Sequence, residues 1–136
     1  SKRSPTEVEL ADMRFGLAIA KRIGGLDIGQ TVVVKNRAIM AVEAIEGTDA
    51  CIRRGGQLGR GGVTVAKSAK PQQDMRFDVP GVGPDTIDSM IQAGAIALVI
   101  EAGRTLVVDR EKMLEKADQQ AITIVAMPGD EVTAHD

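Results

Sequence analysis

Four short aliphatic runs limit what this chain can become: "TVVV" from Thr31, "GVTVAKSA" from Gly62, "AIALVIE" from Ala95 and "AITIVAM" from Ala121. Each has the length of a buried strand, and segments with helical spacing separate them. Leu10, Met13, Leu17 and Ala20 recur as one helix face, which ends at Gly24-Gly25. Pro84 opens a second such segment, with Ile87, Met90 and Ile91 on one side and Gly94 at its end. Strands interleaved with helices predict an α/β fold, a single layered domain with a mixed β-sheet flanked by helices. With two Phe, no Tyr and no Trp in 136 residues, the core must be aliphatic.

Local signals fill in the rest. "SPTE" at residues 4–7 reads as a capping box, with Ser4 as cap and Pro5 at the first helical position. "TVVVKNRAIMAVEAIE" reads as two strands about a Lys35-Asn36-Arg37 turn. "GTDACIRRGG" predicts a short helix capped by Thr48 or Asp49, followed by a glycine-rich loop, "GGQLGRGG". "AIALVIE" and "TLVVD" suggest a hairpin across Ala102-Gly103, and Asp109 a cap for the charged helix after it. "AITIVAM" would close the fold as a buried strand before a frayed tail.

Several function classes fall away. A net charge of −2 and the lack of stacking aromatics give nucleic acid no footing. Cys51 is alone, which forbids an intrachain disulfide and fits a reducing compartment. No apolar run reaches membrane-spanning length and no signal peptide stands out, so a cytoplasmic location is expected, with peripheral contact at a membrane surface left open. The chain opens at Ser1, without an initiator methionine, straight into a capped helix, which suggests a fragment of a longer protein.

Chemistry concentrates in two places. Glu43 and Glu46 end an aliphatic stretch that turns into a helix, where α/β proteins place ligand groups beside free amides. Glu46 could equally be a solvated strand end, with Thr48 or Asp49 as plain caps. Glu43, set among Ala41, Val42, Ala44 and Ile45, would need a basic partner if buried, Arg53 or Arg54 being candidates. The second place is "AKPQQDMRFDVPG". Here Asp74, Arg76 and Asp78 alternate with Met75, Phe77 and Val79, as on a half-buried strand. Extended, the two aspartates would stand about 13 Å apart, too far to share one cation, so the strand bends or their roles differ. One could hold a metal or activate water. Arg76 could fork onto a phosphate, with Lys67 and Lys70 as point charges nearby. A surface ion-pair row is the competing reading. No His/Cys cluster suits zinc, so any metal would be held by carboxylate oxygens, the chemistry of Mg²⁺ or Mn²⁺.

"VEAIEGTDACIRRGG", "AKPQQDMRFDVPGVGPDT" and "EAGRTLVVDRE", with "LDIGQTVVV" upstream, resemble the C-terminal domain of LpxI-type UDP-2,3-diacylglucosamine pyrophosphatases, from about Leu10 to Met127. The resemblance implies residues 1–136 as the C-terminal domain of a two-domain bacterial enzyme of lipid A biosynthesis, without its N-terminal domain. It implies metal-dependent hydrolysis of a UDP-diacylglucosamine lipid to UMP and 2,3-diacylglucosamine 1-phosphate (lipid X), in a site between the two domains. It leans towards a homodimer. On the matching positions, Asp78 and Asp74 are candidates for metal holding and water activation. Lys67, Lys70 and Arg76 would neutralise the pyrophosphate. Glu46, Thr48 and Asp49 would contact glucosamine or support the groups that hold the metal. Gln73, Thr86 and Arg104 match as further substrate contacts. A non-catalytic nucleotide- or phosphate-binding module and a protein-interaction domain are the rival classes.

Overall fold

A computed structural model describes residues 1–69 and 81–129. Its elements run α1 (Glu7–Gly25), β1 (Thr31–Lys35), β2 (Ala38–Val42), α2 (Thr48–Gly59), β3 (Thr64–Lys67), β4 (Gly81–Val82), α3 (Pro84–Ala93), β5 (Ala97–Glu101), β6 (Leu106–Val107), α4 (Arg110–Gln119) and β7 (Thr123–Met127). A five-stranded sheet in the order β2-β1-β3-β5-β7 carries the architecture, and β4 pairs with β6 in a small second sheet. β1 is antiparallel to both β2 and β3, while β3, β5 and β7 are mutually parallel. The expected mixed α/β sheet is therefore present.

Helices cover both faces. Met13 and Leu17 of α1 pack on Ala66, Ala97 and Val99 on one face. On the other, Val33, Val65, Leu98 and Ile100 meet Ile52 of α2, Ile87 and Met90 of α3 and Met113 and Ala117 of α4. Burial of such aliphatic side chains at about 25 cal/mol per Å² is the main source of stability, as the near absence of aromatics requires. None of the described helices is long and apolar enough to cross a membrane.

Several local expectations change. The first helix is capped by Thr6, whose side chain accepts from the Glu9 amide while Glu9 reaches back, so the box lies two residues beyond "SPTE". Glu9 at this register also reaches Arg3, in two contacts of 2.8 and 2.7 Å, which anchors the helix start there. β2 stops at Val42, short of Glu46. α2 is capped by Gly47 with no side-chain bond from Thr48 or Asp49, and it continues through "GGQLG" to Gly59. The turn expected from Gly55 begins only at Arg60, in the left-handed region at φ 58°. A Cβ on Gly55 would lie 2.5 Å from Val33 Cβ, and one on Gly56 would collide with the Ala93 carbonyl. These glycines let α2 lie close against the sheet and α3.

The expected hairpin does not form. β5 is enclosed by β3 and β7, both parallel to it, so β6 has no edge to join and pairs with β4 instead. β7 is an edge strand, as β2 is at the other side, and is only partly buried. Asp109 does precede α4, but at φ 50° and without a side-chain cap bond. The Lys35–Arg37 turn and the α3 limits, Pro84 and Gly94, fall as expected. The expected Asp74–Val79 strand and the tail beyond Gly129 lie outside the described residues.

Candidate active site

The carboxyl ends of β3 and β5 meet the start of β1 at one end of the sheet, in the row Thr31, Lys67, Ile100. Ligand sites in open α/β sheets lie at such ends. α2 starts above this row, and its first residue hydrogen-bonds across it, Thr48 Oγ1 to Thr31 Oγ1 at 3.3 Å. Gly47 caps the helix without a side chain, so nothing from the cap itself occupies the first amides of α2. The helix start thus favours negative charge.

Lys67 is 8% exposed, and its Nζ donates to the Gly81 carbonyl at 2.9 Å. Burial pushes its pKa down, opposed by the charges of Glu43 and Asp49, so both carboxylates act on this amine. Asp49 accepts from Ser89 Oγ of α3 at 3.0 Å. Lys67, Thr48 and Asp49, three of the residues expected from the sequence, therefore converge.

Glu43 joins them, in a different role from the expected one. Among the described residues no arginine pairs with it. Its Oε1 accepts from the Gln30 amide at 3.0 Å and its Oε2 from the Thr48 hydroxyl at 3.4 Å. Arg54 goes to Glu46 instead, through Nε at 3.2 Å and through Nη2. This exposed pair holds the Glu46 carboxyl below the usual carboxylate range, through the Arg54 hydrogen bond, and turns Glu46 to the rim. Glu43 reaches the cluster because β2 ends at Val42, which frees the next residue to fold over Gln30 and Thr48. Its place within an apolar stretch was the one sequence signal that it was special.

The remaining expected residues fall elsewhere. Thr86 Oγ1 accepts from the Gly83 amide at 3.2 Å, securing the start of α3. Arg104 faces Glu101 at 3.8 Å. Lys70, Gln73, Asp74, Arg76 and Asp78 lie outside the described residues, between Ala69 and Gly81, whose flanks meet this end of the sheet. Cys51 is fully buried and its thiol is pushed up to about 12 by desolvation, which makes it inert packing.

An open depression of about 590 Å³, lined by Ile28, Gly29, Gln30, Glu43, Ile45 and Gly47, adjoins the cluster. A somewhat larger cavity of about 650 Å³ lies at the other end of the sheet beside Asp12 and Arg37, away from these groups. Among the described residues no three His, Cys, Asp or Glu side chains lie close enough to hold a metal ion. What they do offer is an amine and helix amides for an anion, beside carboxylates and hydroxyls suited to sugar hydroxyls.

Two comparisons with known proteins bear on the family of this chain. Residues 1–125 match the model of the LpxI C-terminal domain. A UDP-2,3-diacylglucosamine pyrophosphatase, LpxI, of Caulobacter vibrioides is 42% identical over 139 aligned residues, covering 96% of this chain. The chain spans 49% of that relative's length. On that match, over nearly its whole length, the chain belongs to the LpxI C-terminal domain family.

Proposed function

We propose that this chain is the phosphate-handling, catalytic domain of an enzyme that hydrolyses UDP-2,3-diacylglucosamine to UMP and 2,3-diacylglucosamine 1-phosphate. Water adds to one phosphorus, the P–O–P bond breaks, and the bridging oxygen leaves with the other phosphate. The observation that carries the reading is the convergence of Lys67 with the start of α2, whose Gly47 cap has no side chain, beside the flanks of segment 70–80. The name of the 42% identical relative supplies the substrate class.

In this reading Lys67, Lys70, Arg76 and Arg104 neutralise the pyrophosphate as charge builds on the leaving phosphate. Thr48, Asp49 and the rim residue Glu46 contact the sugar, with Gln73 and Thr86 at the periphery. Asp74 and Asp78 would divide between them the holding of a divalent cation, Mg²⁺ or Mn²⁺, and the activation of water. The described residues by themselves make no such set. When bound, the cation lowers the pKa of water and offsets phosphate charge.

The other half of the relative's length is read as a preceding domain that completes the site. The same proposal places the enzyme in the cytoplasm, against the inner face of the membrane that holds its lipid substrate, as a homodimer.

The deciding experiment incubates the complete polypeptide with UDP-diacylglucosamine, with Mg²⁺ or with EDTA, and follows UMP. Release that EDTA abolishes is expected. Tight nucleotide binding without release would instead make this a binding module. The 136 residues alone are expected to unfold cooperatively and to show no turnover. Full activity from them would overturn the two-domain reading.

A further inference from the structure

Ala69, after β3 of the large sheet, and Gly81, in β4 of the small one, flank segment 70–80, and a buried charged side chain grips each of them. At the return, Lys67 Nζ holds the Gly81 carbonyl at 2.9 Å. At the departure, the Ala69 amide donates to Glu101 Oε1 at 3.1 Å. The two grips are neighbours in the sheet, since Lys67 pairs with Ile100, the residue before Glu101. They act on opposite faces. Val65 and Ile100 belong to the core under α2, α3 and α4, whereas Ala97 and Val99 belong to the core under α1. Strand alternation therefore sets Lys67 on the first side and Glu101 on the second.

Glu101 is only 4% exposed. A buried carboxylate is costly, and an apolar residue would serve the strand as well. Its surroundings are nevertheless built around it. Oε2 faces Arg104 Nη1 at 3.8 Å, and the Arg104 side chain is itself 41% exposed. Gly129 closes the third side, where a Cβ would lie 2.6 Å from Oε2. Gly129 is in turn tied to α1, its carbonyl accepting from Lys21 Nζ at 2.6 Å. The carboxylate thus joins the departure point of segment 70–80 to a half-exposed cation.

We infer that Glu101 is a positioning residue with two separable tasks. Through Oε1 it fixes where the segment carrying Asp74, Arg76 and Asp78 leaves β3. Through Oε2 it aims Arg104 at an anionic substrate group. The inference rests on the pyrophosphatase reading above, and the two oxygens allow the tasks to be told apart. Gln at 101 keeps an acceptor for the Ala69 amide but loses the charge that faces Arg104, whereas Ala loses both. Ala at 129 leaves Glu101 chemically intact and displaces its carboxylate.

The test is steady-state kinetics of the complete polypeptide with UDP-diacylglucosamine for Glu101→Gln, Glu101→Ala, Gly129→Ala and Arg104→Ala. Glu101→Gln should raise KM as Arg104→Ala does and keep kcat within about threefold of wild type. Glu101→Ala should show the same KM rise together with a kcat loss of about tenfold or more, the scale of a displaced catalytic segment. Gly129→Ala should reproduce the kcat loss, and it decides the matter if Glu101→Ala does not fold. Wild-type kcat in both Glu101→Ala and Gly129→Ala overturns the inference. So does a Gln variant as slow as the Ala variant. Exchange of the Ala69 amide with deuterium gives a readout free of catalysis. Faster exchange in the Ala variants than in wild type and Glu101→Gln upholds the anchor, and equal exchange sinks it. Absence of hydrolysis by the wild type would defeat the pyrophosphatase reading, and the amide exchange would still judge the anchor.

Discussion

The two ends of the same sheet treat charge in opposite ways. At the amino end of β3 and β5, charged groups act as staples. Arg3 spans Glu9 and the carbonyls of Ala121 and Ile96, at 2.7 and 2.9 Å. Asp12, buried in α1, accepts the Asn36 and Arg37 amides at 3.1 and 2.8 Å, securing a turn whose two residues both have positive φ. Lys35 Nζ holds the carbonyls of Gly59 and Gly61 where α2 ends, at 2.8 and 3.1 Å. At the carboxyl end the described residues mix tight bonds, such as Lys67 to the Gly81 carbonyl at 2.9 Å, with looser contacts. Glu43 meets Thr48 at 3.4 Å, Glu101 meets Arg104 at 3.8 Å, and Lys67 is held in burial that disfavours its charge. A protein spends satisfied ion pairs on architecture and keeps poised charges where a ligand is to complete them.

That contrast can be broken from either side. The largest effect is expected from Asp78→Ala in the complete enzyme, where turnover should fall roughly a hundredfold or more, with Asp74→Ala also severe. Both variants should keep the wild-type melting temperature and still bind the lipid. Near-normal turnover in both would reduce the row to surface ion pairs.

At the opposite end, Arg3→Ala should cost about 2 kcal/mol of stability, since it strands a carboxylate that is 5% exposed, while leaving kcat unchanged in the folded protein. Urea denaturation beside kinetics checks this. A change in kcat would mean that the amino end is not merely architectural.

Glu43→Ala should cost about 1.5 kcal/mol, the value of its charge-assisted hydrogen bonds, because among the described residues no arginine is left unpaired by its loss. A loss above about 3 kcal/mol would restore the buried ion pair expected from the sequence.

The smallest effect concerns pH. The Arg3 hydrogen bond holds the Glu9 carboxyl below its ordinary value. The unfolded chain therefore takes up this proton first, and the stabilisation is complete at neutral pH. It fades as the pH falls below about 4.3, the unfolded value, and through the lowered folded one. The stability gap between wild type and Glu9→Gln should follow that course. A gap constant from pH 7 to pH 3 would show that the carboxylate charge contributes nothing.

The sequence was informative where chain-local physics decides. Pro84 and Gly94 mark α3 because one suits a first helical turn and the other takes the left-handed cap at φ 71°. The Lys35–Arg37 turn and the aliphatic strands were equally legible. Misreadings arose wherever distant neighbours decide. Gly55 and Gly56 belong to a helix because Val33 and Ala93 approach them too closely for any side chain, and no local signal reports that. Leu106–Val107 could not be assigned to β4 without knowing that β3 and β7 already flank β5. Lys67, Thr48 and Asp49 were expected from the sequence and lie near one another, whereas Glu43 was given an arginine partner that it does not have among the described residues. An arginine in "CIRR" was the obvious neighbour by spacing, yet the Gln30 amide and the Thr48 hydroxyl reached the carboxylate instead.

The close seat of α2 has a bearing on attempts to toughen this protein. Helical glycines are the usual first targets of thermostabilisation, because alanine gains about 1 kcal/mol at an exposed helical site. Applied to Gly55, Gly56 or Gly59, that recipe would wedge α2 off Val33, Ala93 and Val63. The displaced helix would carry Thr48 and Asp49 away from Lys67, so a screen for heat tolerance would discard the geometry of the candidate site along with the fold. Directed evolution of this domain has better ground in Gly25, a helix-end residue where an added Cβ meets nothing within 4 Å.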